Sequence, residues 1–452
     1  MKPTFNGWPA CSVLILVSAI AVWSCRQRPA GDSDSLSMAV ATVQKSYLTD
    51  QQSAALAAVG FKPDEVKAVS DSIGISEWLG VQSFVDDANA SRLPDERVLR
   101  RESHGKGQGC LRADFTILNP KAFGIAGLRS YPAWIRLSNG GAYQDDDRKK
   151  HISRGWGIKV MNVAETQSHT IDLVMLSSPI FFISDITHYP GFLKSTGEGK
   201  IGLAEELLFG MNLDEKMVVA RRLMQKVSNL LDAPLYSAVP YRYSAPEGSA
   251  KYAVAPCDQL QPPTYPPSVA PTRDDPDYLE LAMNDSLSAA RNEKPLCYMF
   301  YAQRPHFHPA DGSAPDSLDN PTHEWKGTFE RLARITIPPG QQRGGPWDYR
   351  KNHSECERMA FSPWNTTEEA EPIGKVNWTR RYVYAALANF RRVEFPKIYQ
   401  AWLTDHNSPL VRDDIRRELS RLTVNPTSIS PKAQDTSEPV VDSGFQALGI
   451  GQ

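Results

Sequence analysis

The sequence of 452 residues has little net charge, few cysteines and no long hydrophobic run beyond its first 25 residues. A formal net charge of −2 gives no basic excess, which excludes a nucleic-acid-binding surface as the main function. None of the six cysteines forms a Cys-x-x-Cys pair, which argues against zinc or thioredoxin-type chemistry. No internal repeat is present. The remaining composition, 41% hydrophobic and 23% charged, is typical of a globular protein with one large domain or two smaller ones.

The first 25 residues predict a leader rather than part of the fold. Lys2 precedes an apolar run from Val13 to Trp23, which at about a dozen residues is short for a membrane span and suits a signal-peptide core. Ser24-Cys25 follows and resembles a bacterial lipoprotein processing site. We therefore expect the mature protein to be exported, either to the periplasm or as a lipoprotein that is tethered to a membrane through lipid on Cys25. The four cysteines beyond Cys25 then allow one or two disulfides, whose pairing stays open.

The rest of the chain predicts an α+β fold. Residues 26–94 are expected to form a linker and helices, 95–424 the main domain, and 425–452 a disordered tail. From Cys110 onward eight strands are predicted, at Leu111–Leu118, Trp134–Ser138, Trp156–Val163, Thr170–Leu176, Tyr236–Tyr243, Tyr252–Cys257, Leu296–Ala302 and Leu332–Ile337. Helical patterns cover Ala39–Ala90, Leu203–Met211, Asp214–Leu231, Tyr278–Arg291 and Trp378 to Leu422. Strands and helices in runs, without strict alternation, favour a sheet closed into a barrel.

One stripe of the last helical block carries Arg380, Tyr384 and Arg391, at positions i, i+4 and i+11. A cation one turn before a phenol favours the ionised phenol, and tyrosinate is a known axial ligand of haem iron. Taken alone, the stripe is more typical of an amphipathic helix with a core tyrosine and two solvated arginines.

A second pattern is Arg101-Glu-Ser-His104-Gly-Lys-Gly-Gln-Gly109, with an arginine three residues before a histidine. A phosphate-binding loop fits it poorly, because a strand rather than a helix follows the glycines. The segment resembles the stretch of the catalase family that contains the distal histidine. The resemblance continues in order, over about residues 95–395, through Trp134-Ile-Arg136-Leu-Ser138, Arg154-Gly-Trp-Gly-Ile-Lys159, the segment from Ile171 to Asp185, Phe361-Ser-Pro-Trp-Asn365 and Arg380-x-x-x-Tyr384.

The resemblance to catalase-related haem proteins implies an eight-stranded antiparallel barrel with flanking helices. It implies haem b, with iron bound to Tyr384 and with Arg380 keeping that phenol ionised. The haem propionates would contact the family's arginines, which here are Arg101, Arg136 and Arg391.

The same resemblance implies a peroxide as the small-molecule substrate and, as in the family, a homo-oligomer. His104 would move the peroxide proton as a general acid–base group, and Ser138 would fix its tautomer. Tyr189 replaces a phenylalanine of the family and is expected either to flank the haem or to be a core aromatic.

Two positions depart from the family's pattern. Leu176 stands where catalases have the distal asparagine, and Ser177 would replace that asparagine only if the strand register shifts by one. Ser103 stands before the distal histidine, where catalases usually have valine; relatives that rearrange fatty-acid hydroperoxides also carry a hydroxyl there. The substrate is therefore left open between H2O2 and an organic hydroperoxide. The alternatives are a fatty-acid hydroperoxide isomerase or lyase of the allene oxide synthase type, and a non-catalytic haem-binding or haemless barrel.

Overall fold

The structure is a computed structural model that describes residues 46–89, 99, 101, 104–140, 146–148, 153–197, 206, 210–219, 227–243, 248–258, 274–289, 294–306, 317–318 and 320–422. The predicted leader with Cys25, the predicted site residue Ser103 and the predicted disordered tail lie outside the described residues, as does most of the predicted helix Leu203–Met211. Within the described part, no helix is long and apolar enough to cross a membrane.

The described strands form one antiparallel sheet, and eight of them close it into a barrel, as predicted. The barrel is closed because β5 pairs with β7 and β9 pairs with β1. The short strand β6 extends from β7 only. The strands are β1 (Lys106–Ile117), β2 (Ser130–Asn139), β3 (Arg154–Met161), β4 (Thr170–Leu176), β5 (Leu235–Tyr236), β6 (Tyr241–Arg242), β7 (Ser249–Pro256), β8 (Leu296–Gln303) and β9 (Phe329–Ile337).

Side chains of β2, β3 and β4 alternate between the two faces of the barrel wall. Ile135, Ile158 and Leu173 pair across the three strands and lie in the apolar core inside the barrel. The next pairs along, such as Arg136 with Gly157, therefore point outward. This outer face is covered by the segment after β9, whose Cys356 and Phe361 pack on it in a second apolar cluster.

Helices flank the barrel and build a smaller core of their own. They are α1 (Asp50–Ala58), α2 (Pro63–Asn89), α3 (Tyr189–Gly197), α4 (Leu213–Val218), α5 (Tyr278–Ala289), α6 (His353–Arg358), α7 (Lys375–Asn389), α8 (Phe395–Thr404) and α9 (Asp413–Leu419). The π-helical segment Phe390–Glu394 joins α7 to α8. Val85, Trp402 and Ile415 belong to the apolar cluster between α2, α8 and α9.

Several predicted elements are wrong in extent, and single side chains account for two of the differences. The predicted strand Tyr236–Tyr243 is two separate two-residue strands, β5 and β6, because Ser237 turns its hydroxyl to the carbonyl of Val239 between them. Within the predicted helix Asp214–Leu231, α4 covers the start, whereas residues 227–231 form a turn. Asn229 accounts for that turn, since its side-chain oxygen accepts from the N–H of Leu231.

Two disulfides are present, within the number that the sequence allows. Cys257 and Cys297 join the ends of β7 and β8. Cys110 and Cys356 join β1 to α6 across 246 residues of sequence. The second disulfide therefore fixes α6 against the outer face of the barrel.

Candidate functional site

His104 lies on the outer face of the barrel, where β2 and β3 pair. Its backbone φ of 53° is in the left-handed region, which non-glycine residues rarely adopt. Its Nδ1 is 3.1 Å from Oγ of Ser138, and that hydroxyl donates to the carbonyl of Gly155 at 3.3 Å. A Cβ at Gly155 would lie only 3.0 Å from the imidazole. The contact of His104 with Ser138 implied by the family resemblance is present, and Gly155 provides the room for it.

These contacts determine the tautomer of the imidazole. Ser138 gives its one proton to a carbonyl, so it accepts the Nδ1–H of His104. Nε2 is then the unprotonated nitrogen, and Oγ of Ser153 lies 2.9 Å from it and donates to it. Burial, reinforced by nearby guanidinium cations, lowers the pKa of His104 to about 3. The imidazole is therefore neutral near neutral pH, and Nε2 is its unprotonated nitrogen.

No sequence motif points to Ser153. Its backbone is held by the N–H of Gly140, which donates to the carbonyl of Ser153 at 2.7 Å. The following residue, Arg154, donates its backbone N–H to Oγ of Ser177 at 2.9 Å. Ser177 therefore anchors the start of β3, and its role as a substitute for the missing asparagine stays a prediction.

Leu176 lies on the same face of the sheet as the imidazole. It pairs directly with Gly155 of β3, which in turn pairs with Ser138 of β2. Because residues paired across antiparallel strands point the same way, the leucine side chain is directed to the side on which His104 lies. The side chains of Leu176 and, one pair further along β4, Val174 are both partly exposed. The barrel wall beside the histidine is therefore apolar.

The three arginines implied to bind propionates converge, but on a carboxylate of the chain itself. Nη1 of Arg101 lies 2.6 and 2.5 Å from the two carboxylate oxygens of Glu357. Arg391 donates to the carbonyls of Leu99, at 2.6 Å, and of Glu357, at 3.2 Å. Burial alone would raise the pKa of Glu357, but the surrounding cations outweigh it and lower that pKa to about 2. The sequence pattern gave no sign of Glu357, which stands in a charged stretch that looks solvated.

Arg136 is the least engaged of the three. Its Nε is buried and finds no hydrogen-bond partner in the described part of the chain. Its guanidinium lies over the ring of Phe361, at 4.2 Å from the centroid. Burial and the neighbouring cation of Arg101 lower the pKa of Arg136 well below its ordinary value. This environment is unfavourable for an isolated cation and would be relieved by a second anion.

The Phe361–Asn365 segment is held on the outer face by one buried carboxylate. Asp172 of β4 accepts from Lys159, from the N–H of Ser362 and from the side chain of Asn365, at 2.7, 2.9 and 2.8 Å. The ring of Phe361 then lies against β3 where Gly157 has no side chain, since a Cβ there would be 3.1 Å from the ring. The segment therefore fixes the ring that lies under Arg136.

Tyr384 and Arg380 lie together on α7, as the helical spacing predicts. Nη2 of Arg380 donates to the phenol oxygen of Tyr384 at 3.3 Å, and Nη1 donates to Asn377 at 3.2 Å. Arg380 is buried and Tyr384 is partly exposed. Burial by itself would lower the pKa of Arg380, but the phenols of Tyr384, Tyr241 and Tyr189 raise it. Tyr189 therefore lies near the pair, and its ring also packs near Phe182.

The helix side and the barrel side of the site face one another. The phenol of Tyr384 is close enough to Arg136 to counteract, in part, the lowering of the arginine's pKa. Arg136 in turn lowers the pKa of His104. Arg391 lies beyond the end of α7, in the π-helical segment, and reaches the cluster from there. The structure thus brings together every described residue that the sequence singled out for haem binding.

Comparison with known proteins shows a likeness in structure but none in sequence. Neither a protein-family profile nor a curated protein matches the sequence. Catalase A from Saccharomyces cerevisiae superposes with a TM-score of 0.51 at 17% identity, over 77% of this chain and 68% of that one. A fungal catalase superposes with a TM-score of 0.47 at 15% identity, over 75% and 63%. The barrel closure, the strand order and the superposition with catalase A lead to one conclusion: this chain has the catalase-related fold.

Proposed function

We propose that this protein is a haem-dependent hydroperoxidase in which His104 is the acid–base group. The observation that carries the proposal is the state of that histidine. It is neutral, its Nδ1–H is held by Ser138, and its unprotonated Nε2 belongs to the same electrostatic cluster as Arg136 and Tyr384. A buried, neutral imidazole with an unprotonated nitrogen and several cations nearby is an arrangement suited to proton transfer at a bound peroxide.

The residues fit haem b in two respects. Tyr384 is partly exposed and would bind the iron through its phenol oxygen, to which Arg380 donates a hydrogen bond. Arg101, Arg136 and Arg391 surround one carboxylate, Glu357. Three cations and one anion leave an excess of two positive charges, which equals the charge of two haem propionates. Because the guanidinium of Arg101 already forms an ion pair with Glu357, we expect Arg136 to make the closest propionate contact.

Haem bound in this way would supply an iron that polarises the peroxide and promotes cleavage of its O–O bond. The chain itself supplies the proton path. His104 accepts the hydroperoxide proton at Nε2 and returns it to the departing oxygen, while Ser138 keeps Nδ1 protonated throughout. Such a positioned histidine contributes about 10²–10⁴-fold to the rate.

The apolar wall beside His104 favours an organic hydroperoxide over H2O2. Leu176 cannot form the hydrogen bond that the asparagine of catalases offers to peroxide. It adds apolar surface instead, which stabilises an alkyl chain by about 25 cal/mol per Å² buried. The same apolar wall also suits an isomerase or lyase of the allene oxide synthase type. The product distinguishes the two, because an isomerase or lyase converts the hydroperoxide without consuming an electron donor.

The test compares two histidines with the same backbone conformation. His104 and the exposed His169 both have φ of 53°, and asparagine tolerates that region. Purified protein from haem-supplied cells is assayed for oxygen release from H2O2 and for loss of a fatty-acid hydroperoxide. We expect His104→Asn to lower hydroperoxide turnover by about 10²–10⁴-fold and His169→Asn to leave it unchanged.

Leu176→Asn provides a third arm, in which oxygen release from H2O2 is expected to rise. Equal turnover in the parent and His104→Asn would contradict the role of His104. Oxygen release by the parent at catalase-like rates, with no gain from Leu176→Asn, would contradict the argument from the missing asparagine.

We also propose that the mature protein is exported, with lipid on Cys25 as the tether. The apolar leader and the two disulfides support this, since disulfides persist in oxidising compartments. Cell fractionation of the parent and of Cys25→Ser is the test. A cytosolic full-length product contradicts export, and a parent that stays in the soluble fraction contradicts the tether.

A further inference from the structure

The proton-accepting nitrogen of His104 already has a hydrogen-bond donor from the chain itself. Oγ of Ser153 lies 2.9 Å from Nε2. A hydroxyl has one proton and two lone pairs. While Ser153 donates its proton to Nε2, it can therefore accept a second hydrogen bond from a group on its other side.

The position of Ser153 is set by the backbone around it. The N–H of Gly140 donates to the carbonyl of Ser153, and a Cβ at Gly140 would lie 2.7–2.8 Å from the backbone of Ser153. The N–H of the next residue is held by Ser177. The peptide group that follows Ser153 is thus held at both its carbonyl and its N–H. The residue is 6% exposed, and within the described part of the chain its hydroxyl lies against the imidazole.

Nε2 is also the only nitrogen through which His104 can act as a base. Nδ1 carries a proton and donates a hydrogen bond to Ser138, and the hydroxyl of Ser138 donates in turn to the carbonyl of Gly155. A substrate proton can therefore reach His104 only by way of Ser153 or after Ser153 has moved aside.

We propose that Ser153 is a further catalytic residue, which relays the proton between an organic hydroperoxide and Nε2 of His104. The O–H bond of the hydroperoxide breaks as its proton passes to Oγ of Ser153, and the proton of Ser153 passes to Nε2. The reverse path then delivers one proton to the departing oxygen. The relay moves protons only, and both side chains end in their starting protonation states. It rests on the hydroperoxidase function proposed above.

The activity test uses Ser153→Ala, Ser153→Thr and, as a control, Ser168→Ala, which removes an exposed hydroxyl in the β3–β4 turn. In haem-loaded protein we expect Ser153→Ala to lower kcat/KM for a fatty-acid hydroperoxide by about 10–100-fold, part of what a positioned acid–base pair contributes. Ser153→Thr keeps the hydroxyl and should restore most of the rate. Rates in mixtures of H2O and D2O should show two protons in transfer for the parent and one for Ser153→Ala.

The second readout needs neither haem nor turnover. In ¹⁵N-labelled haem-free protein, NMR reports the tautomer and the pKa of His104. We expect the Nδ1–H tautomer in the parent, and a higher pKa in Ser153→Ala because a donor that stabilises the neutral ring is lost.

An active parent whose Ser153→Ala variant is as fast or faster contradicts the relay alone. An unchanged pKa of His104 in Ser153→Ala also contradicts it, because it shows that the hydroxyl does not bind Nε2. A haem-loaded parent that cleaves no hydroperoxide contradicts the proposed function, and the relay with it.

Discussion

Successive residues of strands β2–β4 point alternately to the inner and the outer face of the barrel, yet the two faces differ in polarity and in the size of their side chains. The inner face is made of Ile135, Ile158 and Leu173, all buried in the barrel core. On the outer face, Arg136 and Ser138 of β2 pair with Gly157 and Gly155 of β3. The missing side chains of these glycines leave room for the imidazole of His104 and the ring of Phe361. The inner face stabilises the barrel, and the outer face positions the candidate site.

A helix bound to the outer face adds the charge that this arrangement needs. The disulfide from Cys110 to Cys356 fixes α6 next to Arg136, since Cys110 and Arg136 pair across β1 and β2. The residue after Cys356 is Glu357, whose carboxylate forms ion pairs with Arg101 and Arg391. This carboxylate offsets part of the positive charge that is buried on the outer face.

The largest loss of stability is therefore expected from Glu357→Ala. Removing one partner of a buried ion pair costs about 3–5 kcal/mol. Glu355→Ala is the matched control two residues away, because its ion pair with Arg358 is exposed and such pairs contribute about 0–1 kcal/mol. Urea unfolding of the three proteins measures the difference. Equal losses in the two variants would show that the cluster is not electrostatically coupled.

A somewhat smaller loss of stability is expected for a truncation on the inner face of the barrel, and comparing it with a truncation on the outer face distinguishes the two. Ile158 on the inner face is completely buried, and truncating a buried isoleucine to alanine costs about 2–5 kcal/mol. Val174, on the outer face of the neighbouring strand, is partly exposed. We expect Ile158→Ala to lower the free energy of unfolding by more than Val174→Ala, and to leave the affinity for haem unchanged. The reverse order of stabilities would mean that the faces are wrongly assigned.

Much of the barrel could be predicted from the sequence, because short apolar segments with a strand-like period mark its strands one by one. The contact of His104 with Ser138 and the meeting of Arg380 with Tyr384 followed from spacing and family resemblance. Ser153 and Glu357 could not be found in this way. Glu357 meets Arg101 across 256 residues of sequence, and nothing local distinguishes it from the solvated Glu355. The disulfide pairing was equally inaccessible, since four cysteines allow three pairings.

The smallest expected effect is on the pH dependence of stability, in which Glu357 differs from another buried carboxylate. Glu77 of α2 has one cation, Arg412, which it shares with Asp414. Burial raises the pKa of Glu77 to about 7, although Arg412 opposes this. A folded-state pKa above the unfolded value means that the folded state binds more protons between pH 4.5 and 7. The contribution of Glu77 to stability is therefore complete below pH 4.5 and is lost as pH rises through 7.

In the parent, the free energy of unfolding should fall by up to about 3 kcal/mol between pH 4.5 and 7 as Glu77 loses its proton. We expect Glu77→Gln to remove this fall. Glu357 behaves in the opposite sense, since its lowered pKa gives a contribution that is lost only as pH falls from 4.5 towards 2. Glu357→Gln should therefore leave the pH 4.5–7 slope as it is in the parent. Urea unfolding at several pH values measures both slopes, and identical slopes in the parent and Glu77→Gln would contradict the assignment.

The proposed function requires that Tyr384 would hold the haem iron. Its most direct test is the Soret absorbance of protein purified from haem-supplied cells, for the parent, Tyr384→Phe and Tyr382→Phe. Tyr382 is the control, because it lies on the same helix and packs against the barrel core. The account predicts a Soret band in the parent and in Tyr382→Phe that is shifted or lost in Tyr384→Phe. A colourless parent, or an identical band in Tyr384→Phe, would contradict it.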